Sequence, residues 1–331
     1  MFSHRGLTRR GGVVTSVVFA LSILMTIPTP AAGIGPTVSQ PDAVMAELWE
    51  MPDDLATRDL FDGPWGAASA PDPHASYTFL RKKGQGTNPG VTVRDPFGRT
   101  WHVKQPPRGN QGAEGPVEVV LSRVLSAVGY HQPPVYFLPS FTMVDASGTH
   151  TEPGGRFRLQ EKSLKDEGTW SWQRNPFVGT KPYAGLLAIL MLFDSSDLKD
   201  ANNSVYELTH PGNNVKRWFV VRDLGTALGA TGRIAPKRDD PNLFERNAFV
   251  RGVKDGFVDF DYHGLHQGLV RRRITAADVA WGCALLAGLT DRQWADAFRA
   301  GGYDPAVADR FIRRIHEKIE AGLRVHSQVG R

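Results

Sequence analysis

Two stretches, SSDLKDANNSVYEL at 195–208 and VVRDLGTALG at 220–229, contain residue types that bind a divalent cation. The segment between them is rich in turn-forming residues and is flanked by β-rich runs, which predicts a hairpin. The outer ends of that hairpin would bring Asn202 close to Asp223, and Gly225 would let the backbone turn away just beyond. Amide and carboxylate oxygens, completed by water and phosphate, form the ligand shell that Mg²⁺ selects. The sequence therefore predicts a magnesium site at Asn202 and Asp223.

The loop before Asn202 offers a base and a cation. Asp197 lies five residues earlier, where a carboxylate can accept a proton from an attacking hydroxyl group. Lys199 lies in the same loop and can meet a transferring phosphoryl group. The loop is therefore predicted to combine proton transfer with phosphate chemistry.

The elements that position these residues begin with a β-rich segment from residue 76. The runs SYTFL, VTVRD and RTWHVKQ predict three antiparallel strands. Between the first two lie Gly84, Gly86 and Gly90, and Lys104 lies at the end of the third. Because a lysine at a strand end is usually exposed, we expect Lys104→Ala to change the stability of the fold very little.

A helix and two more strands follow. The helix is predicted from Pro116, which suits a first turn, to a stop at Gly129, with Glu118 in its first turn. PPVYFLP and GRFRLQEKS predict strands separated by a loop near 146–155. A nearly all-apolar helix is then predicted over 182–193, immediately before the polar loop.

The C-terminal part is predicted to be mainly helical. Thr275, Thr290 and Asp304 are N-cap candidates for three amphipathic helices that extend to about residue 325. Strands with one helix come first and helices dominate later, so the sequence predicts an α+β fold. The aromatic stretch 168–177 is interpreted as core packing, with a ligand-stacking surface as the alternative.

The chain resembles the protein-kinase-like superfamily over about residues 76–325. DLKDAN at 197–202 resembles the DLKxxN catalytic loop of protein kinases, and DLG at 223–225 resembles their metal-binding DFG. The glycine-rich turn, the strand lysine and the helix glutamate follow the same order on the same types of element. The resemblance is to the atypical bacterial and secretory branch, which includes toxin kinases, spore-coat kinases and secretory-pathway kinases.

This resemblance implies a two-lobed kinase-like fold that binds ATP and Mg²⁺ and transfers a phosphoryl group. An inactive, pseudokinase-like binding or scaffold module of the cell envelope is the alternative. The implied roles are catalysis for Asp197 and Lys199, metal binding for Asn202 and Asp223, and nucleotide binding for Gly84, Gly86, Lys104, Glu118 and, in the hinge, Glu161. Glu114 remains an alternative to Glu118, and Asp194 and Asp200 remain alternatives to Asp197.

The chain also departs from the kinase pattern. Ser195 and Ser196 stand where many kinases have His-Arg, and no APE-like segment follows Asp223. No peptide-docking platform is evident in the sequence, so the acceptor stays open, as does the oligomeric state. ATP is scarce outside the cytoplasm, so an exported kinase would need a special source of nucleotide.

The first 32 residues resemble a signal peptide. A basic stretch precedes an apolar run at 13–27 and small residues suited to cleavage, with an uncleaved anchor as the alternative. We therefore expect export to the periplasm, the envelope or the exterior, with no membrane span in the mature chain. The predicted organisation is a leader (1–32), an extension (33–75), an N-lobe (76–165), a C-lobe (166–325) and a tail (326–331).

Composition narrows the other possibilities. The net charge of +5 includes three leader arginines, so the remainder is too close to neutral to predict nucleic acid as a partner. Cys283 is the only cysteine, which excludes an internal disulfide, and its apolar surroundings favour a buried residue. A zinc site at His263 and His266 is disfavoured because further ligands at suitable spacing are missing. The arginines at 271–273 are interpreted as a solvated face.

Overall fold

A computed structural model of the chain describes residues 42–84, 88–107, 114–209, 216–232 and 236–329. These residues form a mixed α+β fold. The strands are β1 (Ser76–Lys82), β2 (Gly90–Arg94), β3 (Thr100–Lys104), β4 (Val135–Asp145), β5 (Gly148–Leu159), β6 (Leu164–Gly168), β7 (Asn203–Leu208), β8 (Arg217–Val221), β9 (Val250–Lys254) and β10 (Phe257–Phe260). The helices are α1 (Asp42–Met45), α2 (Glu114–Ala127), α3 (Lys181–Leu192), α4 (Pro241–Arg246), α5 (Ala276–Ala287), α6 (Asp291–Ala300) and α7 (Pro305–Val329).

The first five strands close into a barrel in the order β1-β2-β3-β5-β4. Neighbouring strands are antiparallel except β1 and β4, which pair in parallel and complete the closure. Side chains alternate across each strand, so one face fills the barrel with its own apolar cluster, which includes Tyr77, Trp101 and Phe157. The opposite face of β3 and β5 remains available for polar residues.

Two of the barrel strands are longer than the sequence predicts. β4 and β5 extend through the stretch near 146–155 that we expected to be a loop, and they meet at a tight turn next to Gly148. Gly148 has φ of +117°, a conformation that favours glycine. Long-range pairing between the two strands supplies stability that the Gly/Ser/Thr-rich sequence does not indicate locally.

Helix α2 links β3 to β4 and begins at Glu114, two residues before Pro116. Pro116 therefore lies in the first turn, as predicted, whereas Glu118 lies in the second turn rather than the first. The apolar residues at helical spacing are buried in the larger hydrophobic cluster of the fold, and the chain leaves the helical conformation at Gly129, where φ is +100°.

Helices α3, α5, α6 and α7 surround that larger cluster. Thr275 and Thr290 form complete capping boxes at the starts of α5 and α6, and α7 begins directly after Asp304, so these three helix starts are confirmed. Trp172 and Phe177 are fully buried in the same cluster. The core interpretation of the aromatic stretch is therefore confirmed.

A three-stranded sheet, β6-β7-β8, carries the predicted hairpin, while β6, α4 and the β9-β10 hairpin were not predicted. Among the described residues, no helix is both long and apolar enough to cross a bilayer. Gly86, the hairpin turn at 211–214 and the leader at 1–32 lie outside the described residues.

Candidate functional site

The end of the β7-β8 ladder brings the predicted metal ligands together. Asn203 pairs with Val221, and just beyond them the backbone N–H of Arg222 donates to the carbonyl of Asn202 at 2.8 Å. Asp223 follows with φ of +51°, in the left-handed region that non-glycine residues rarely occupy. Such strained positions cluster at functional sites. The hydrogen-bonded ends of the two strands thus bring Asn202 next to the residue before Asp223, as the hairpin predicts.

The loop before Asn202 folds back on itself around Asp197. The side-chain amide of Asn202 donates to the carbonyl of Asp197 at 2.7 Å, and the Nζ of Lys199 lies 2.8 Å from Oδ1 of Asp197. The backbone N–H of Ser196 donates to the carbonyl of Thr226 at 3.1 Å. The predicted base, its neighbouring lysine and one predicted metal ligand are therefore joined directly, and the loop is tied to the segment after Asp223.

Lys104 lies at the centre of a cluster of three carboxylates, two from α2 and one from the segment after β8. Its Nζ is 3.2 Å from Oδ1 of Asp223, 3.3 Å from Oε2 of Glu118 and 2.9 Å from Oε2 of Glu114. The lysine side chain is only 8% exposed. Our expectation that Lys104 is exposed is therefore wrong, and we now expect its removal to lower stability, because three carboxylates would lose this counter-charge.

Both candidate helix glutamates contact Lys104, and they have different additional partners. Glu118 lies against Arg156, whose Nε is 2.9 Å from Oε1. Glu114 also binds Asn88, which lies in the glycine-rich turn, and Arg238. Glu118 thus connects Lys104 to strand β5, and Glu114 connects it to the turn between β1 and β2.

Gly225 is required where the DLG segment passes the start of α2. A Cβ atom at this position would lie 2.7 Å from both the Cβ and the carbonyl oxygen of Glu114. These contacts are shorter than real Cβ atoms show, so only glycine allows the approach without a shift. This close packing keeps Asp223 beside the lysine that α2 and β3 hold.

The charges in the cluster change the pKa values of its acids. Partial burial on its own would raise the pKa of Asp223, but the positive charges of Lys104, Arg156 and Arg158 outweigh it and lower that pKa to about 2. The pKa of Glu118 is also lowered: burial opposes ionisation, and Arg156 and Lys104 overcome it. Both groups are therefore carboxylates at neutral pH.

Two neighbouring cavities lie along the outer face of β3 and β5, and the smaller one reaches Lys104 and Arg156 of this cluster. One, of about 410 Å³, lies beneath the turn between β1 and β2 and is lined by Gly84 and Lys104 among others. The other, of about 740 Å³, is lined by Gln160, Glu161 and Lys162 of the predicted hinge segment. The carboxylate of Glu161 accepts hydrogen bonds from the backbone N–H and the hydroxyl of Ser163, both at 3.0 Å, so it is occupied within the hinge itself.

The alternative carboxylates to Asp197 have structural partners. Asp194 is buried, and its Oδ2 lies 3.0 Å from the Nζ of Lys318 on α7. Asp200 accepts a hydrogen bond from the backbone N–H of Trp172 at 3.0 Å. Asp197 is more exposed than Asp194, which leaves it the better placed of the two to meet a solvent-borne hydroxyl group.

The oxygen atoms at Asn202 and Asp223 fit a hard divalent cation. The amide nitrogen of Asn202 is used by Asp197, and Oδ1 of Asp223 contacts Lys104, which leaves an amide oxygen and a carboxylate oxygen as donors. Such oxygens, with phosphate and water, are typical of Mg²⁺ sites. Within the described ranges, no group of three His, Cys, Asp or Glu side chains is placed to hold a metal ion.

Sequence reasoning missed four polar residues of this region: Asn88, Arg156, Arg158 and Arg238. A signal was present for Arg156 and Arg158, because they are two apart in a predicted strand and so point to the same face. Asn88 and Arg238 lie in irregular segments, and their sequence gives no such signal.

Comparisons with known proteins give a distant similarity to a solved structure. No protein-family model matches the chain, and no curated protein matches it significantly. The structure is similar to the crystal structure of a Helicobacter pylori proinflammatory kinase, CtkA, with a TM-score of 0.43 and 9% sequence identity. The similarity covers 75% of this chain and 96% of the other.

Proposed function

We propose that this protein is an atypical kinase-like phosphotransferase that moves a phosphoryl group from ATP to a hydroxyl acceptor in the presence of Mg²⁺. One observation carries the proposal: Lys104 contacts both Glu118 and Asp223, the latter 119 residues away in the chain. A lysine held between a helix glutamate and the acid of a DLG segment is the arrangement that the kinase resemblance implies. The two lobes, 76–165 and 166–325, are part of this proposal.

In this mechanism Lys104 binds the phosphates, and Glu118 keeps the lysine oriented. Asn202 and Asp223 would hold Mg²⁺, which when bound neutralises charge on the phosphates. The acceptor oxygen forms a bond to the γ-phosphorus while the bond to the bridging oxygen breaks, and ADP leaves. Asp197 takes the proton of the acceptor hydroxyl, which requires that its ion pair with Lys199 opens.

A non-catalytic nucleotide-binding module is the second candidate, and two observations favour it. The carboxylate of Asp197 is paired with Lys199 at 2.8 Å, which lowers its availability as a base. Ser195 and Ser196 replace the usual His-Arg. Such a protein would bind ATP and Mg²⁺ through Lys104 and Asp223 and transfer nothing.

The test compares wild type with Asp223→Ala, using Asp259→Ala as a matched control that removes an exposed carboxylate from β10. We expect a magnesium-dependent thermal shift with ATP in wild type and in Asp259→Ala, and its loss in Asp223→Ala. Transfer of radiolabel from γ-labelled ATP, to the protein itself or to an added acceptor, then separates the enzyme from the module. Absence of any magnesium-dependent shift in wild type would refute both candidates.

Export is a separate part of the proposal and rests on the leader predicted over residues 1–32. Expression of the full chain in a bacterial host, followed by fractionation and N-terminal mass determination, tests it. We expect a mature chain that starts shortly after residue 32 and is recovered outside the cytoplasm. A full-length chain retained in the cytoplasm would contradict the prediction.

A further inference from the structure

The outer face of β3 and β5 carries a block of basic and polar side chains directly above the candidate site. The strand register pairs Lys104 with Arg156 and His102 with Arg158. Residues two apart in a strand point to the same face, and both Lys104 and Arg156 contact Glu118, which confirms the direction they point. Thr92 on β2 continues the row, with its hydroxyl 3.3 Å from Nδ1 of His102.

The three cationic side chains of this block differ in whether a carboxylate contacts them. Lys104 and Arg156 lie against carboxylates, whereas the guanidinium of Arg158 makes no hydrogen bond or ion pair with the residues that the structure describes. Burial lowers the pKa of Arg158, and the nearby positive charge of Arg156 lowers it further. Glu118 offsets part of this effect from a distance, but a half-buried cation without a directly bonded anion is costly, and an incoming anion would reduce that cost.

Arg158 lies where the two cavities meet, since it lines both of them together with His102. The described lining of the smaller cavity holds six cationic side chains and no carboxylate: Arg81, Lys82, Lys83, Lys104, Arg156 and Arg158. Burial lowers the pKa of His102 to about 4, so it contributes hydrogen bonding rather than charge at neutral pH. The surface above the site is therefore suited to several phosphate groups in a row.

We propose that the donor site recognises the phosphate chain of its ligand rather than the base, with Arg158 as a phosphate-binding residue beyond Lys104. This inference rests on the proposed function, because it concerns the donor cleft of the same site. The ligand class is a linear polyphosphate chain, with or without a nucleoside attached. A purine that occupied the junction would meet a guanidinium and an imidazole where a phosphate would gain charge-assisted hydrogen bonds.

The test measures binding by calorimetry on the full-length wild-type protein, in parallel with the magnesium complexes of ATP, GTP and inorganic tripolyphosphate. We expect the three dissociation constants to agree within about tenfold, because the base contributes little. A preference for ATP over tripolyphosphate larger than this overturns the inference and leaves the proposed function intact. If none of the three ligands binds, both fail. This comparison needs no variant.

Arg158→Met then tests the residue itself, with Lys162→Met as a control that removes an exposed cation from the rim of the hinge-side cavity. We expect Arg158→Met to weaken ATP and tripolyphosphate by a similar factor, about tenfold or more, and Arg158→Lys to recover part of the loss. The ligand-free variant should melt no earlier than wild type, since an unpaired cation has been removed. Equal effects of Arg158→Met and Lys162→Met would overturn the assignment.

Discussion

The buried ion pair between Asp194 and Lys318 fixes the start of the candidate catalytic loop against α7. The Nζ of Lys318 lies 3.0 Å from Oδ2 of Asp194, 3.1 Å from the carbonyl oxygen of Leu192 and 3.7 Å from the ring centroid of Phe244. Each side chain of the pair is 1% exposed. This contact braces the loop directly before Ser195 and Ser196, and its lysine comes from the last helix of the described chain.

Lys318→Met removes the counter-charge of Asp194 and keeps most of the aliphatic length. Loss of one partner of a buried pair costs about 3–5 kcal/mol. Burial raises the pKa of Asp194 to about 7 even with Lys318 present, so in the variant the carboxyl takes up a proton instead of remaining charged. The folded variant then binds a proton that the unfolded chain has released, and its stability falls as the pH rises.

The loss of unfolding free energy caused by Lys318→Met therefore depends on pH. We expect the loss of unfolding free energy to be larger at about pH 8 than at about pH 7, by up to about 1.4 kcal/mol, because in that range only the variant keeps Asp194 protonated. Below about pH 7 Asp194 is protonated in the folded wild type as well, so the stability of both proteins rises on acidification by the same amount. The difference between the two proteins therefore shrinks as the pH falls to about 7 and stays constant below it.

Urea unfolding followed by tryptophan fluorescence measures this difference, since Trp172 and Trp294 are fully buried. Arg324→Met is the matched control: it lies on the same helix, and its pair with Glu320 is exposed, so we expect a loss of about 0–1 kcal/mol. A Lys318→Met deficit no larger than that of the control, or one that grows on acidification, would refute the reasoning.

Two further predictions concern the lysine cluster. Gly225→Ala places a Cβ 2.7 Å from Glu114, so we expect the free energy of unfolding in urea to fall by about 1–3 kcal/mol and the thermal shift with ATP to become smaller. Gly252→Ala is the control: its Cβ meets open space, so the thermal shift with ATP should stay unchanged. Equal ATP shifts in the two variants would contradict the close approach. Glu118→Gln removes a carboxylate whose pKa is lowered by folding. We therefore expect the variant to be less stable than wild type at neutral pH, and this difference to disappear as the pH falls through the folded pKa of Glu118. A deficit that does not vary with pH would contradict the role of charge.

Local signals in the sequence were enough to predict the elements that position the site. The helix starts at Thr275 and Thr290 depend on side chains that bind backbone within three residues, and such patterns are visible in sequence. The hairpin that aligns Asn202 with Asp223 is also local, because its turn and its two strands are contiguous. The order of elements followed from these short-range patterns.

The contacts of the site could not be predicted in the same way. The burial of Lys104 depends on two glutamates from α2 and one aspartate from beyond β8, which only the tertiary fold brings together. The partner of Asp194 is 124 residues away. Strand alternation is enough to place Arg156 and Arg158 on the same face of β5. Whether that face borders solvent or the cleft depends on how the barrel closes, which the local sequence does not indicate.

The division of charge within the cleft connects these observations. On one side, Glu114, Glu118 and Asp223 surround Lys104, and the low pKa of Asp223 keeps that side able to attract a cation at neutral pH. On the other side, the six cationic side chains that line the smaller cavity outnumber the carboxylates bonded to them. Arg158 has no carboxylate bonded to it among the described residues. A ligand that satisfies both sides carries a chain of anionic groups and arrives with a divalent cation. Lys104 stands between the two sides, so the same ligand would draw its ammonium group away from Asp223 and free that carboxylate for the metal.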